Sequence, residues 1–168
     1  MIVILETERL YLRQFTEADA PLLYHLNTQP GVLKYIPEPL LTSVEHAKEV
    51  INNIILPQYK NNLGRWAVHL KENDEFIGWC GLKLVDGEID LGYRFLPKDW
   101  GKGYATEVAK ATRLYGHQNL QLEKIIAHAH IDNIASQNVL TKIGMQFIGE
   151  GMDEGVPVKG YVSFSNML

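Results

Sequence analysis

The strongest constraint on the fold is a set of three alternating apolar segments in the middle of the chain. They lie at residues 66–70, 76–85 and 89–95, and short turns at Asn73-Asp74 and Asp86-Gly87 separate them. Alternation with a period of two predicts β-strands, and connections this short require neighbouring strands to run antiparallel. The centre of the chain is therefore predicted to be an antiparallel meander.

Helical patterns flank this meander on both sides. Thr16 and Asp19 have the spacing of a capping box, and Pro30-Gly31 ends the helix that follows. Thr42 opens a second helix, which Pro57 should stop or bend. Further helices are predicted at residues 102–118 and 134–143, and further strands at 10–15, 124–130, near 147 and at 158–164. The predicted fold is one α/β domain over residues 1–168, with a mixed, mostly antiparallel central sheet of about seven strands flanked by about four helices.

Composition excludes several classes of function. The formal net charge is −4, with 16 Lys and Arg against 20 Asp and Glu, which argues against nucleic-acid or membrane-surface partners. No apolar run approaches the ~18 residues of a membrane span, and the N-terminus has no basic leader. Cys80 is the single cysteine, so no intrachain disulfide can form, and its apolar surroundings favour a buried, inert thiol. We expect a cytoplasmic protein.

The segment richest in functional information runs from Tyr93 to Glu107. A strand leads into a turn that contains Gly101-Lys102-Gly103, and the turn leads into a helix. Backbone N–H groups in such a turn, together with the helix N-terminus, form an anion site, and glycine lets a phosphate approach closely. A pyrophosphate is the ligand that this arrangement suits. The alternative is a tight strand–helix connection with no ligand, since short glycine motifs also occur by chance.

A second motif favours the pyrophosphate site over a strand–helix connection without a ligand. Asn133 precedes a short helix as a good N-cap, Ser136 lies three residues on, and Lys142-Ile143-Gly144-Met145 ends the segment. With the glycine turn, this order and spacing resemble the GNAT acetyltransferase superfamily. Residues 6–13 together with Asp19 are also similar to the subgroup that acetylates the N-termini of ribosomal proteins. Three positions depart from the family pattern. Trp100 replaces the usual Gln or Arg, so that only its backbone N–H is expected to donate, Met145 replaces the usual Phe, and Leu140 replaces a Tyr.

The resemblance implies that acetyl-CoA is the co-substrate and that no metal takes part. The backbone of Phe95 and Leu96 would hold the pantetheine arm, with the Leu96 region supplying an oxyanion donor. The implied cofactor-binding residues are Phe95, Leu96, Trp100, Gly101, Lys102, Gly103, Tyr104, Ala105, Asn133, Ser136 and Lys142. Glu107 is expected to orient the loop.

The implied chemistry is attack of an amine on the thioester. Asp90 falls where some relatives place a catalytic Glu, so it is the candidate general base, acting directly or through water. A surface pair between Asp90 and Arg94 is the competing interpretation. Ser136 is the candidate acid for the leaving sulfur. His128 and His130 share a strand face, but without an evident third ligand they favour packing over zinc.

The expected partner is an amine acceptor, either a protein N-terminus or a small molecule, and the acidic run at residues 86–90 favours a cationic one. Two other functions stay open, a non-catalytic acyl-CoA-binding sensor and a generic nucleotide-binding module. Family habit implies a homodimer, while the sequence itself leaves the oligomeric state open.

Overall fold

A computed structural model describes all residues from 1 to 168. The first half begins with two strands, β1 (Val3–Glu6) and β2 (Leu10–Gln14). Helices α1 (Ala20–Thr28), α2 (Val44–Val50) and α3 (Leu56–Gln58) follow. The second half contains β3 (Gly64–Leu70), β4 (Phe76–Val85), β5 (Glu88–Phe95), α4 (Tyr104–Gln118), β6 (Lys124–His130), α5 (Ile134–Lys142), β7 (Gln146–Asp153) and β8 (Val156–Phe164). None of these helices combines the length and apolar character needed to cross a membrane.

All eight strands form one sheet in the order β1-β2-β3-β4-β5-β6-β8-β7. Every neighbouring pair is antiparallel except β5 and β6, so the predicted mixed and mostly antiparallel sheet is confirmed. The predicted meander corresponds to β3, β4 and β5. The additional strand is β1, a four-residue edge strand that pairs with β2.

The sheet carries a hydrophobic core on each face. The larger core packs α4 and α5 against one face and includes Val108, Ile125 and Leu140. The smaller core packs α1 and α2 against the other face, around Phe15 and Trp79. Two helical layers around one sheet match the predicted α/β class.

The first two helices show where local sequence signals succeeded and failed. The Asp19 carboxylate accepts the Thr16 N–H at 2.7 Å, as the capping-box spacing predicted. The predicted cap at Thr42 is wrong by one residue, because the Ser43 hydroxyl is the one that accepts the His46 N–H, at 3.0 Å. A π-helical turn at Ile51–Ile55 precedes Pro57, and the α-helical segment that contains this proline ends one residue later, at Gln58, which agrees with the predicted stop.

The single parallel strand pair determines the position of the site. Strands β5 and β6 are in register only at Asp90 and Ile126. No further ladder pairs join them toward Phe95 and His130, where both strands end. The sheet therefore has an opening between two of its central strands, and α4 and α5 begin close to it.

Candidate functional site

A cavity of about 1110 Å³ occupies this opening. Its wall contains backbone from both separating strands and the first turns of α4 and α5. The cavity brings together most of the residues singled out from the sequence: Asp90, Phe95, Trp100, Gly101, Gly103, Tyr104, Ala105, Asn133, Ser136 and Lys142. Leu96 and Lys102 are not among the residues that line it.

The glycine turn leaves a row of backbone donors at the start of α4. Gly101 and Gly103 have φ values of 75° and 82°, a left-handed region that favours glycine. The first hydrogen bond of the helix runs from the Glu107 N–H to the Gly103 carbonyl at 3.1 Å. The N–H groups of residues 101–106 therefore have no carbonyl partner, and no side chain caps the helix. This arrangement is well suited to an anion.

A clamp from the N-terminal hairpin fixes the turn. The Glu107 carboxylate accepts hydrogen bonds from the Thr7 hydroxyl at 2.6 Å, the Arg9 N–H at 2.9 Å and Arg9 Nε at 2.7 Å. Arg9 Nη1 also donates to the Lys102 carbonyl at 3.0 Å, and its guanidinium lies 4.5 Å from the centre of the Tyr104 ring. These contacts agree with the orienting role expected of Glu107. Sequence reasoning missed the part of Arg9, which is nearly a hundred residues away in the chain.

The donors of Trp100 are already engaged, which corrects one expectation. Its backbone N–H donates to the Pro97 carbonyl at 3.2 Å, because Pro97–Asp99 form a short 3₁₀ turn. Its indole Nε1 donates to the Phe95 carbonyl at 2.9 Å. The prediction that the Trp100 N–H is free for a phosphate is therefore wrong in this structure, and the indole instead braces the end of β5.

The amide of Leu96 also differs from expectation. Its N–H donates to the Ile77 carbonyl of β4 at 2.9 Å, so it is not available as an oxyanion donor. Hydrogen-bonding directions alternate along a strand, and the N–H of Phe95 therefore points away from β4 and toward the opening. Phe95 is the available donor of the two residues that the resemblance implied.

The two candidate lysines have different surroundings. Lys102 Nζ lies 3.4 Å from the buried Asp99 carboxylate, and its side chain is half exposed. Lys142 lies in the last turn of α5 and lines the cavity. Of the two, only Lys142 borders the site.

The start of α5 places a pair of hydroxyl groups at the cavity wall. Asn133 caps the helix as predicted, with its Oδ1 accepting the Ser136 N–H at 3.2 Å. The Ser136 hydroxyl lies 2.9 Å from the hydroxyl of Tyr93 on β5, and burial raises the pKa of Tyr93. Leu140, at the position where relatives place a Tyr, is buried in the larger core. Sequence reasoning missed Tyr93 because nothing local links it to α5.

Asp90 faces His128 rather than Arg94. Its Oδ1 lies 3.8 Å from His128 Nδ1, and the carboxylate raises the pKa of that histidine against the opposing effect of burial. Arg94 is directed instead to Asn27 and Glu38. The predicted Asp90–Arg94 surface pair is therefore wrong. The prediction that His128 has a packing role did not include its pairing with Asp90 at the cavity wall.

Other reactive groups lie away from this chemistry. Cys80 is fully buried, and desolvation raises the pKa of its thiol to about 12. The structure contains no group of three or more His, Cys, Asp or Glu side chains arranged to hold a metal ion.

Comparison with known proteins gives a consistent result. Residues 9–146 match the family model described as "Acetyltransferase (GNAT) domain". The uncharacterized N-acetyltransferase YnaD of Bacillus subtilis is 35% identical over 142 residues, which cover 83% of this chain and 81% of that protein. A GNAT-family acetyltransferase structure from Bacillus anthracis superposes with a TM-score of 0.84 at 27% identity, covering 99% of both chains. RimL, a ribosomal L7/L12 α-N-protein acetyltransferase solved in complex with coenzyme A, shares the fold with a TM-score of 0.84 at 17% identity, covering 96% of this chain and 97% of that one.

Proposed function

This chain belongs to the GNAT acetyltransferase family, and from that premise we propose that it transfers the acetyl group of acetyl-CoA directly to a primary amine. The observation that carries the proposal is the row of unpartnered amides at residues 101–106, beside the opening between β5 and β6. Such a row, at the positive end of a helix dipole, is a site for a pyrophosphate. The complex of RimL with coenzyme A supports the same cofactor class.

In this proposal the cofactor spans three parts of the cavity wall. The pyrophosphate binds the amides of the glycine turn, and Lys142 provides a cation near the phosphates. The pantetheine arm lies in the opening, between the edge of β5 at Phe95 and the start of α5 at Asn133. This route leads the thioester to the stretch of β5 that also carries Tyr93 and Asp90.

The proposed reaction forms one C–N bond and breaks one C–S bond. The neutral amine attacks the thioester carbonyl, and the Phe95 N–H stabilises the oxyanion that develops. Removal of one preorganised donor of this kind costs about 3–4 kcal/mol of transition-state stabilisation. Collapse of the intermediate releases the thiolate of coenzyme A.

Two proton transfers complete the reaction. The amine proton passes to His128, which Asp90 orients and whose raised pKa suits a base near neutral pH. The thiolate accepts a proton from the hydroxyl pair of Ser136 and Tyr93, whose oxygens are 2.9 Å apart, and this pair then recovers the proton from solvent. Asp90 is then a positioning residue for the base rather than the base itself.

The test is acetyl transfer by the purified protein. Acetyl-CoA is incubated with amines of several classes, namely L-amino acids, spermidine and a short peptide with a free N-terminus. Release of free thiol is followed together with the mass of the product. Acetylation of any amine that depends on enzyme supports the proposal. Thiol release at the same rate with and without every amine would contradict it.

Acyl-CoA sensing without turnover is the second candidate function. Two observations favour it. Both N–H groups of Trp100 already donate hydrogen bonds within the chain, and the position at which relatives carry a tyrosine is occupied by the buried Leu140. A thermal-shift titration with acetyl-CoA, coenzyme A and ATP separates the candidates when it is paired with the transfer assay. A sensor shifts with both coenzyme A species and acetylates nothing, whereas a generic nucleotide-binding module also shifts with ATP.

A further inference from the structure

Two buried guanidinium groups share one carboxylate at the end of the cavity that faces α1. Arg94 and Arg65 have side chains that are 4% and 13% exposed. Arg94 Nη2 lies 3.2 Å from Glu38 Oε1, and Arg65 Nη2 lies 3.9 Å from the same oxygen. Asn27 Oδ1 accepts a further bond from Arg94 Nη1 at 2.8 Å, but it is neutral. One positive charge is therefore in excess at this end of the cavity.

The hydrogen-bonding capacity of this cluster is incomplete. The indole of Trp79 lies between the two guanidiniums, with its ring centre 4.9 Å from Arg65 and 5.3 Å from Arg94. Arg65 Nε, Arg94 Nε and Trp79 Nε1 are all buried without a hydrogen-bond partner. Buried donors normally have partners, and three unpartnered donors in one cluster indicate an acceptor group that the chain does not supply.

A neighbouring lysine adds to the positive charge. Lys83 lies directly across from Asp90 in the sheet and also lines the cavity. Burial lowers the pKa of Lys83 and repulsion from Arg65 lowers it further, whereas Asp90, Glu38 and Glu154 oppose this. Burial followed by repulsion from Arg94 lowers the pKa of Arg65 in the same way, although Glu38 opposes this. Repulsion between cations thus lowers the pKa of Lys83 and of Arg65 against the opposing carboxylates, and an entering anion would relieve this repulsion.

The opposite end of the same sheet face is acidic. Asp90 and the carboxylates of Asp153 and Glu154 line the cavity there. Asp90 and Arg94 are four residues apart on β5, which corresponds to about 13 Å of extended strand. Glu88, part of the acidic run that suggested a cationic acceptor, is instead paired with Lys124 at 3.1 Å. The cavity is therefore basic at one end of this face and acidic at the other.

We propose that the amine acceptor also carries a carboxylate, which binds between Arg65 and Arg94 while its amine faces Asp90 and His128. The acceptor is then a small amino acid, and the two charged ends of the cavity orient it. This inference rests on the proposed acetyl transfer and adds the class of acceptor to it.

Charge favours a carboxylate over a phosphate monoester in this position. A phosphate monoester carries about −1.5 to −2 at neutral pH, whereas a carboxylate carries a single charge. Arg65 and Arg94 share only Glu38, while Lys83 lies directly across the sheet from Asp90, so one positive charge is left to match. Arginine pairs with a carboxylate through two parallel N–H bonds.

The first experiment compares acceptors in matched pairs. kcat/KM is measured for the L-α-amino acids and for β-alanine, 4-aminobutyrate and 6-aminohexanoate, each against its carboxamide. The carboxylate of the best acceptor is expected to exceed its amide at least tenfold. Equal rates for the two forms, or a preference for spermidine or a C-terminally amidated peptide, would overturn the inference and leave acetyl transfer intact.

Variants then assign the preference to residues. Arg65→Gln is expected to lower kcat/KM for the carboxylate at least tenfold and to leave the amide nearly unchanged, while Arg65→Lys retains part of the preference. Lys83→Gln, at a half-buried position of the same face, tests the cluster again should Arg65→Gln fail to fold. Lys110→Gln, on the exposed side of α4, is the control and should behave as wild type. An unchanged preference in the folded cluster variants would refute the assignment.

A binding measurement separates this inference from the proposed catalysis. N-acetyl amino acids and their amides are titrated into the protein with coenzyme A present, and binding is followed by calorimetry. Tighter binding of the carboxylate form supports the site even where no amine is acetylated. Equal binding of the two forms overturns it.

Discussion

Adding a single methyl group to the glycine turn should separate cofactor binding from folding. Gly101 has a φ of 75°, and a Cβ built at this position meets no atom within 4 Å. Gly101→Ala therefore introduces no steric clash within the chain and costs only the left-handed backbone conformation, about 1–2 kcal/mol. For a protein of this size each kcal/mol lowers Tm by about 2–4 °C.

The same substitution should weaken cofactor binding. The new Cβ is added within the row of amides that is proposed to bind the pyrophosphate. At a hundredfold excess over Kd, one ligand stabilises the wild type by about 2.7 kcal/mol, and a tenfold rise in Kd reduces this to about 1.4 kcal/mol. We expect at least that reduction for coenzyme A bound to Gly101→Ala.

The matched control is Gly87→Ala, in the turn between β4 and β5. Gly87 has a φ of 80° and also meets no atom within 4 Å of an added Cβ, so it has the same strain without the anion site. The assay is a thermal-shift titration of both variants with coenzyme A, confirmed by calorimetric Kd values. Both should melt at similar temperatures without ligand, and only Gly87→Ala should retain the full shift. An equal shift in the two variants would refute the assignment of residues 101–106 as the pyrophosphate site.

Four further substitutions test groups that are proposed to hold the cofactor or move protons. Glu107→Gln removes the charge that holds the glycine turn, so Kd for coenzyme A should rise several-fold in calorimetry while the fold loses about 1 kcal/mol of stability; an unchanged Kd would show that the turn is ordered without it. Asp90→Asn removes the carboxylate that raises the pKa of His128, so the rise of kcat/KM with pH, which reports loss of the His128 proton, should move to lower pH, and an unmoved profile would exclude this base. Because Asp90 raises the pKa of His128, the Asp90–His128 pair stabilises the fold below the ordinary histidine pKa of 6.5. This stabilisation is lost as pH rises through the raised pKa of His128, and denaturant melts at several pH values can measure the loss. Tyr93→Phe and Ser136→Ala should each lower kcat with little change in KM, and the double variant should lose no more than the worse single one; additive losses would show that the two hydroxyls do not act in series.

The sequence predictions were accurate for strands with long, regular patterns and failed for short or ambiguous elements. The bounds predicted for β4 and β6 are those of the structure, because both strands have long, regular apolar patterns. β1 was missed because an exposed edge strand of four residues has no alternating pattern to detect. The Thr42 cap was misplaced because two neighbouring hydroxyl residues fit the same helix start, and only the backbone geometry selects Ser43.

In the candidate site, the features that could be predicted are those formed by residues close together in the sequence. The glycine turn and the Asn133 cap are local features and could be located by spacing alone. Contacts between Tyr93 and Ser136, Asp90 and His128, or Arg94 and Glu38 join residues about forty to sixty positions apart. Only the order of strands in the sheet brings these pairs together, so composition and periodicity carried no signal for them.

The two faces of β5 constrain the kinetic mechanism. Tyr93 packs with the core on the α4–α5 face, whereas Asp90 and Arg94, an odd number of residues away, project from the opposite face. The thiol end of the cofactor and the amine acceptor can therefore occupy the site together, from opposite sides of one strand. The only cysteine does not carry the acetyl group between them, because it is buried and its pKa is raised to about 12. Direct attack in a ternary complex predicts double-reciprocal plots that intersect when both substrates are varied, and parallel lines would instead require an acetyl-enzyme intermediate.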